Sequence, residues 1–153
     1  MKEYVQPALW IIGYQAIAYG IGLATRANMG WYDTLAKSAL TPPDIAFPIV
    51  WTVLYVFLAL AGYRVWNKRK EALPVFISYW VQMALNWGWS FVFFAGHLIF
   101  LGFIWIVVFD IAMLSFIVLA WKNDMKVPAL LVLPTLLWGS FAGYLNYAIW
   151  TLN

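Results

Sequence analysis

Four long stretches of the chain carry no charged residue, and they set its predicted architecture. Residues 4–25, 45–63 and 127–153 are uncharged over 22, 19 and 27 residues, and residues 72–109 are uncharged over 38. A helix needs roughly 20 residues to cross the hydrocarbon core of a bilayer. The first three stretches therefore predict one span each, and the fourth predicts two spans with a turn at Gly96-His97.

The pattern predicts an all-α membrane protein, a single bundle of five transmembrane helices without an internal repeat or a second domain. The predicted spans are residues 4–25, 43–66, 73–94, 98–121 and 127–150. Residues 26–42 connect the first two spans, and we call them the lid loop because a connection of this length is more typical of a functional loop than of a plain linker. The start of the chain lacks the small-residue cleavage site of a signal peptide, which predicts a retained first span.

Lysine and arginine are distributed unevenly between the two sides of this bundle. One side carries Lys2, Arg64, Lys68, Arg69, Lys70, Lys122 and Lys126, whereas the other carries Arg26 and Lys37. The positive-inside rule then places the N-terminus in the cytoplasm, and the lid loop and the C-terminus outside. The same bias accounts for the net charge of +3. It indicates weak contact with anionic lipid and no nucleic-acid partner, since the basic runs contain no interleaved aromatic residues.

Composition supports the membrane assignment and excludes several kinds of chemistry. The chain is 65% hydrophobic, 20% aromatic and 10% charged, which excludes an ordinary soluble domain and a disordered one. It contains no cysteine, so disulfides, thiolate catalysis and cysteine-bound metals are excluded. We expect no metal site and no required cofactor.

The segment Thr41-Pro42-Pro43-Asp44 has the pattern of a helix start, with Thr41 and Asp44 spaced as a capping box. We expect the second span to begin near Pro42. Pro48 would then lie inside the helix, leave the carbonyl of Asp44 without its N–H partner and bend the segment before Trp51.

Two of the eleven tryptophans are candidates for a ligand site. Trp51 and Trp138 each follow a proline by three or four residues, where an interrupted helix can open a cavity. An indole supplies both apolar area and an N–H donor. Tryptophans near span ends are interpreted as interfacial anchors or packing residues. These are Trp10, Trp31, Trp66, Trp80, Trp121 and Trp150.

The span directions bring further residues to the depth of these two indoles, under the lid loop. The residues at this level are Trp51, Asn86, Trp89, Phe93, Trp138, Ala142 and Leu145. Asn86, Trp89 and Phe93 also share one helix face. The amide of Asn86 needs a partner inside the bilayer, and an interhelical hydrogen bond and a ligand contact are both open. Asn146 presents the same two alternatives.

Two ionisable residues have structural interpretations. Asp110 is the one carboxylate deep inside a span, and we expect it to accept a hydrogen bond from a hydroxyl or an amide. It has no second acid or base nearby in the sequence, so hydrolytic chemistry is poorly supported. His97, the single histidine, is interpreted as a surface residue of its turn, with haem ligation as the alternative.

Small residues recur at four-residue spacing in two spans. Gly139 and Gly143 form a GxxxG pattern, and Ala16, Gly20 and Ala24 form a similar row. Both patterns predict close helix contacts. Contacts within one bundle and between two subunits are both open.

Together these residues resemble the TspO/MBR family of small five-helix membrane proteins, which includes tryptophan-rich sensory proteins and translocator proteins. The matching residues are Trp31-Tyr32, Leu35, Lys37, Thr41-Pro42-Pro43, Pro48, Trp51, Tyr55, Ala84-Leu85-Asn86-Trp87, Trp89, Phe93-Phe94, Asp110, Pro134, Trp138, Phe141-Ala142 and Leu145-Asn146. They cover nearly the whole chain in order.

The resemblance implies a five-helix bundle, commonly a homodimer, that binds porphyrins such as protoporphyrin IX and haem. The resemblance also implies a pocket that in relatives binds isoquinoline carboxamide or benzodiazepine drugs. The pocket that it implies lies under the lid loop. The residues that match its lining are Tyr32, Trp51, Asn86, Trp89, Phe93, Trp138, Ala142 and Leu145. For some bacterial members the resemblance implies light- and oxygen-dependent breakdown of the porphyrin, with Trp51 and Trp138 as the redox partners.

The chain departs from the family pattern at two places. Ser38 and Leu40 stand where the family usually has a proline and a tryptophan, which predicts a looser lid loop or a changed ligand preference. No basic residue follows Asn146, so the cholesterol motif of mammalian members is incomplete and no sterol recognition is predicted.

The sequence therefore predicts a membrane protein that binds or senses a tetrapyrrole. Photo-oxidative degradation of the porphyrin is the enzymatic version of this hypothesis. The alternatives are a transporter of porphyrins or other small apolar ligands, and a structural membrane scaffold. A transporter has less support, because there is no inverted repeat and one buried carboxylate makes a poor coupling chain.

Overall fold

The computed structural model describes residues 2–153, with side chains from Tyr4 onward, and in this part of the chain helices are joined by turns and loops without any strand. Its helices are α1 (Lys2–Arg26), α2 (Met29–Asp33), α3 (Ala46–Asn67), α4 (Leu73–Ser90), α5 (Ile99–Lys122) and α6 (Lys126–Leu152), with a π-helical segment (Phe91–Ala95) that continues α4. The predicted all-α fold class is therefore confirmed. The side chain of Lys2, which entered the charge comparison, lies outside the described residues.

Four of these helices are long and apolar enough to cross a membrane, judged by length and composition. They are Tyr4–Arg26, Ala46–Asn67, Ile99–Lys122 and Lys126–Leu152. The remaining predicted span, the third (residues 73–94), corresponds to α4, which has 18 residues and is continued by the five residues of the π-helical segment. The short helix α2 lies within the lid loop.

The start of α3 differs from the prediction. The N–H of Ala46 donates to the carbonyl of Pro43 at 2.8 Å, and α3 begins at Ala46, not near Pro42. No capping box forms, since Thr41 Oγ1 has no hydrogen-bond partner among the described residues. Pro48 consequently lies in the first turn, where a missing N–H costs nothing. The carbonyl of Asp44 accepts from Phe47 at 3.3 Å, so the predicted loss of its partner is wrong.

The two ends of the bundle differ in how completely they are packed. We call the end with the α3–α4 and α5–α6 connections the basic side, and the end with the lid loop the lid side. A dense core fills the basic half of the bundle. Its fully buried large side chains include Leu58, Val65, Val75, Tyr79, Met83, Met113, Phe116 and Val132. The lid half instead encloses a cavity, so the dense core supplies the rigid base on which that cavity is built.

Helices α1, α3 and α4 meet around a glycine and two buried phenols. Tyr79 Oη donates to the carbonyl of Leu58 at 2.6 Å and is 2.8 Å from the hydroxyl of Tyr14. A Cβ added at Gly62 would lie 2.7 Å from Tyr79 Oη and 2.9 Å from a ring carbon of Trp10. Gly62 therefore permits an approach that a larger residue would block.

The two predicted rows of small residues behave differently. A Cβ at Gly139 would lie 2.6 Å from Asp110 Oδ1, and one at Gly143 would lie 3.1 Å from Ile106. The GxxxG pattern therefore packs α6 against α5 within the bundle. Gly20 has no side chain of the described residues within 4 Å of its Cβ position.

Asp110 makes the hydrogen bond that its burial predicts. Ser140 Oγ donates to Asp110 Oδ2 at 3.1 Å, which joins α5 to α6. The predicted hydrogen bond from a hydroxyl is therefore present, while Asp110 Oδ1 is buried without a partner among the described residues.

The phenol network predicts a stability change. Replacing Tyr79→Phe removes the bond to Leu58 and leaves the buried Tyr14 hydroxyl without its partner, so we expect a loss of about 1–3 kcal/mol. Thermal unfolding in detergent measures it. Tyr147→Phe is the matched control because Tyr147 is 47% exposed. Equal melting temperatures for the two variants would contradict a structural role for the network.

Candidate functional site

A cavity of about 730 Å³ lies in the lid half of the bundle. Its walls come from α1, α3, α4, the π-helical segment and α6, and α2 of the lid loop covers it. This volume lies within the range of small-molecule sites, which are mostly apolar clefts with a few placed polar groups.

Seven of the eight predicted pocket residues line this cavity. They are Tyr32, Trp51, Asn86, Trp89, Phe93, Ala142 and Leu145. Trp51 lies on α3, and across the cavity the rings of Trp89 and Phe93 stack at 5.5 Å with an interplanar angle of 9°. Flat aromatic surfaces on two helices suit a planar apolar ligand.

Trp138, the eighth predicted residue, does not line the cavity. Its indole contacts Phe47 edge-on at 5.8 Å, and Phe47 is itself a lining residue. Trp138 therefore forms a second layer behind Phe47, and the structure does not bring it face to face with Trp51. The sequence prediction overlooked Phe47, which lies one turn before Trp51 on α3.

The π-helical segment shapes the wall next to the lid loop. The N–H of Gly96 donates to the carbonyl of Phe91 at 2.8 Å, the wider spacing of a π-turn. Both Phe93 and Phe94 consequently line the cavity. Gly102 on α5 makes room for this wall, since a Cβ there would lie 2.8 Å from Phe93 Cδ2. Such bulges are frequent at functional sites, and the sequence analysis did not predict this one.

Two interhelical hydrogen bonds close the cavity on the side facing the core. Tyr55 Oη donates to Asn86 Oδ1 at 2.7 Å, which joins α3 to α4. Gln15 Nε2 donates to the carbonyl of Thr52 at 2.8 Å, which joins α1 to α3. Asn86 thus makes the interhelical bond that the sequence left open, and it also lines the cavity.

Three buried polar atoms of cavity-lining residues have no hydrogen-bond partner among the described residues. They are the donors Asn86 Nδ2 and Trp89 Nε1, and the acceptor Asn146 Oδ1. A buried polar atom without a partner costs roughly 1–3 kcal/mol. The two donors on α4 could recover this cost by binding a carbonyl or carboxylate oxygen of a ligand.

The lid loop packs onto the bundle through aromatic contacts. Tyr32 is the buried residue of α2, and its ring lies 5.4 Å from that of Phe94. The ring of Trp31 stacks on His97 at 4.2 Å and meets Phe93 at 5.5 Å. His97 is exposed and does not line the cavity, so it has the position of a surface residue.

Hydrogen bonds also connect the lid loop to α6. The side-chain amide of Asn153 accepts from the N–H of Ala36 and donates to its carbonyl, both at 3.0 Å. Ser38 Oγ lies 2.9 Å from the hydroxyl of Tyr144 and accepts from the N–H of Leu40 at 3.1 Å. Ser38, one of the two departures from the family pattern, therefore anchors the loop through a side-chain bond that proline could not make.

Charged residues gather where the cavity reaches the lid loop. Arg26, Asp33 and Asp44 all line this rim. Burial, together with the carboxylates of Asp44 and Asp33, raises the pKa of the Tyr32 phenol. Tyr32 therefore remains neutral at physiological pH. Arg26 is the one cation among the cavity-lining residues, while the ammonium of Lys37 lies 4.4 Å from the centre of the Tyr32 ring.

The sequence analysis missed the contribution of α1. Gln15, Ala18 and Gly22 line the cavity, together with Arg26 at the end of the helix. The signal was present as a polar residue inside a span followed by small residues on nearly the same face. No group of three or more histidine, cysteine or acidic side chains able to hold a metal occurs among the described residues.

Comparisons with known proteins agree with this architecture. Residues 3–151 match the model of the TspO/MBR family. The chain is 34% identical to the tryptophan-rich protein TspO of Chlorobaculum tepidum, over 99% of this chain and 98% of the relative. It is 32% identical to protein CrtK of Rhodobacter capsulatus, over 80% and 78% of the two chains. It is 30% identical to the human translocator protein, over 82% and 76%.

The family match extends over the helices that build the cavity and over the lid loop that covers it. The long apolar helices of this chain, together with the family match, identify it as an integral, multi-pass membrane protein. The chain belongs to the TspO/MBR family.

Proposed function

We propose that this protein binds a tetrapyrrole, with protoporphyrin IX or haem as the representative ligands, in the cavity beneath the lid loop. The observation that carries the proposal is the pairing of aromatic walls with two unpartnered donors, Asn86 Nδ2 and Trp89 Nε1. The binding role would be sensory or regulatory, with the lid loop reporting whether the cavity is occupied.

The cavity suits the chemistry of such a ligand at three places. The macrocycle is flat and apolar, which matches Trp51 on one wall and the stacked Trp89 and Phe93 on another. Its carboxylate arms need donors or a cation, and Arg26 at the rim supplies the cation. Isoquinoline carboxamide and benzodiazepine compounds also combine aromatic rings with a carbonyl acceptor, so we include them as ligands of the same site.

A second candidate function is light- and oxygen-dependent breakdown of the bound porphyrin, in which dioxygen is the oxidant and accepts an electron from the photoreduced pigment. It is favoured by the position of Trp51 in the cavity wall, where an excited pigment could take an electron from the indole. Trp138 would take part less directly, because Phe47 lies between its indole and the cavity. We also propose that the protein forms a homodimer, with its N-terminus in the cytoplasm and the lid loop on the outer side of the membrane.

Removing one donor tests the proposed binding mode. In Trp89→Phe the ring is retained but the indole N–H is lost, so the affinity for protoporphyrin IX should fall by roughly 2- to 12-fold, the worth of one hydrogen bond. Quenching of tryptophan fluorescence in a dark titration measures it. Trp87→Phe is the matched control, because Trp87 Nε1 is also buried without a partner among the described residues but does not line the cavity. Equal affinity losses in both variants would argue against this orientation.

The rim cation predicts a dependence on the ligand's charge. Arg26→Gln should weaken protoporphyrin IX binding by roughly 2- to 5-fold, as expected for a solvent-exposed ion pair. Binding of the uncharged dimethyl ester should not change, since it has no carboxylate to pair. Absorption titrations with both ligands measure the difference, and Arg64→Gln on the basic side is the control. A similar loss for acid and ester would show that Arg26 does not pair with a carboxylate.

A further inference from the structure

A continuous series of oxidisable rings leads away from the cavity into the dense core. Trp51, in the cavity wall, meets Tyr55 at 5.8 Å between ring centroids. Tyr55 is 6.3 Å from Tyr14, and Tyr14 is 6.0 Å from Trp87. The series therefore passes from α3 to α1 and then to α4 without a gap wider than a direct ring contact.

The same series continues to the surface of the basic side. Trp87 is 6.2 Å from Trp80, Trp80 is 6.2 Å from Trp10, and Trp10 is 6.2 Å from Trp66. Trp66 lies one residue before the end of α3 and is 41% exposed. It is the one indole of the series that is exposed on the outside of the bundle.

We propose that these seven rings form an electron relay that connects the cavity to the basic side of the membrane. We call the series Trp51, Tyr55, Tyr14, Trp87, Trp80, Trp10 and Trp66 the aromatic relay. Electrons would move from Trp66 toward Trp51, and this inference rests on the proposed binding of a porphyrin in the cavity.

The electron balance of one cycle has three steps. Trp51 would give one electron to the photoexcited ligand, which would leave an indole radical cation in the cavity wall. Dioxygen would take that electron from the ligand and become superoxide. The positive hole left on Trp51 would move stepwise along the aromatic relay to Trp66. A one-electron reductant in the aqueous phase would fill the hole there. The net reaction is light-driven transfer of one electron from that reductant to dioxygen.

The two phenols of the aromatic relay mediate electron transfer between indoles without being oxidised themselves. A tyrosine loses its proton when it is oxidised, and no base accepts one here. Tyr55 donates to the neutral amide oxygen of Asn86, and Tyr14 is paired with the neutral phenol of Tyr79. The positive hole is therefore localised on the indoles, which can be oxidised without first losing a proton.

Other aromatic contacts in the bundle lack this continuity. Trp138 reaches the cavity only through Phe47, and a phenylalanine ring is too hard to oxidise to pass the charge on. Trp150 packs against Phe100, Phe103 and Tyr147 near the end of α6. The aromatic relay is distinguished by having only indoles and phenols from the cavity to the surface.

Charge at the exposed end identifies the class of reductant. The guanidinium of Arg69 lies 4.3 Å from the centre of the Trp66 ring. Arg64 and Lys70 lie close by in the chain, whereas the nearest carboxylate, Glu71, is paired with Lys68 at 2.8 Å. This surface favours a small anionic electron donor, because the positive charges raise its local concentration.

Flash spectroscopy tests the aromatic relay. Protein in lipid nanodiscs would be loaded with protoporphyrin IX in the dark, with binding verified by absorption, and then excited in aerated buffer with ferrocyanide as the anionic reductant. The measured quantity is the decay rate of the indole radical as ferrocyanide is increased. We expect this rate to rise with ferrocyanide in the native protein and in Trp150→Phe. In Trp66→Phe it should lose its dependence on ferrocyanide.

Trp150 provides a matched control because its exposure, 42%, is close to the 41% of Trp66. A second measurement is mass spectrometry after steady illumination with ferrocyanide. Oxidation of Trp51 should be low in the native protein and should increase in Trp66→Phe. Trp87→Phe should leave it low, because Tyr14 also contacts Trp10 directly at 6.0 Å between ring centroids.

The outcomes separate the aromatic relay from the proposed function. If porphyrin binds but Trp66→Phe keeps the native ferrocyanide dependence, the relay is overturned and the binding function stands. If porphyrin binds but no indole radical forms after the flash, the relay is likewise overturned. Failure of the native protein to bind porphyrin would overturn both.

Discussion

The hydrogen bond from Tyr55 to Asn86 is the interaction on which the cavity depends. At 2.7 Å it joins α3 to α4 at the boundary between the dense core and the cavity. It uses the oxygen of the Asn86 amide and so leaves the nitrogen free to face a ligand. It also holds the Tyr55 ring between Trp51 and Tyr14. One buried bond therefore closes the cavity, orients its main donor and connects its wall to the core.

The two halves of the bundle have different roles. The basic half stabilises the fold, and the lid half forms the cavity. In the basic half, small residues such as Gly62 let the helices approach closely, and large side chains fill the space completely. In the lid half, aromatic rings line a cavity between the helices, and the loop that covers it is hydrogen-bonded to Tyr144 of α6 and to Asn153. Tight packing in the basic half stabilises the bundle that carries the cavity, which is the usual relation between a scaffold and a preformed site.

Much of this arrangement could be predicted from the sequence, because uncharged runs between charged residues determine where helices can cross a bilayer. The depth of Trp51, Asn86 and Trp89 followed from the same argument, and all three side chains line the cavity. The position of Trp138 did not follow, because depth alone cannot show that the ring of Phe47 lies in front of it. The π-helical turn and the true start of α3 depend on local hydrogen bonds that the residue pattern does not specify.

The central claim is that the cavity itself is the tetrapyrrole site, and filling it is the most direct test. Ala142 is buried on the α6 wall, so Ala142→Phe places a ring in the space that the ligand would occupy. Ala16→Phe adds the same bulk to an exposed position of α1 outside the cavity. The measurement is the dissociation constant for protoporphyrin IX in the dark, with helicity and melting temperature recorded for each variant. The account predicts loss of binding in folded Ala142→Phe and native binding in Ala16→Phe, whereas native affinity in Ala142→Phe would contradict it.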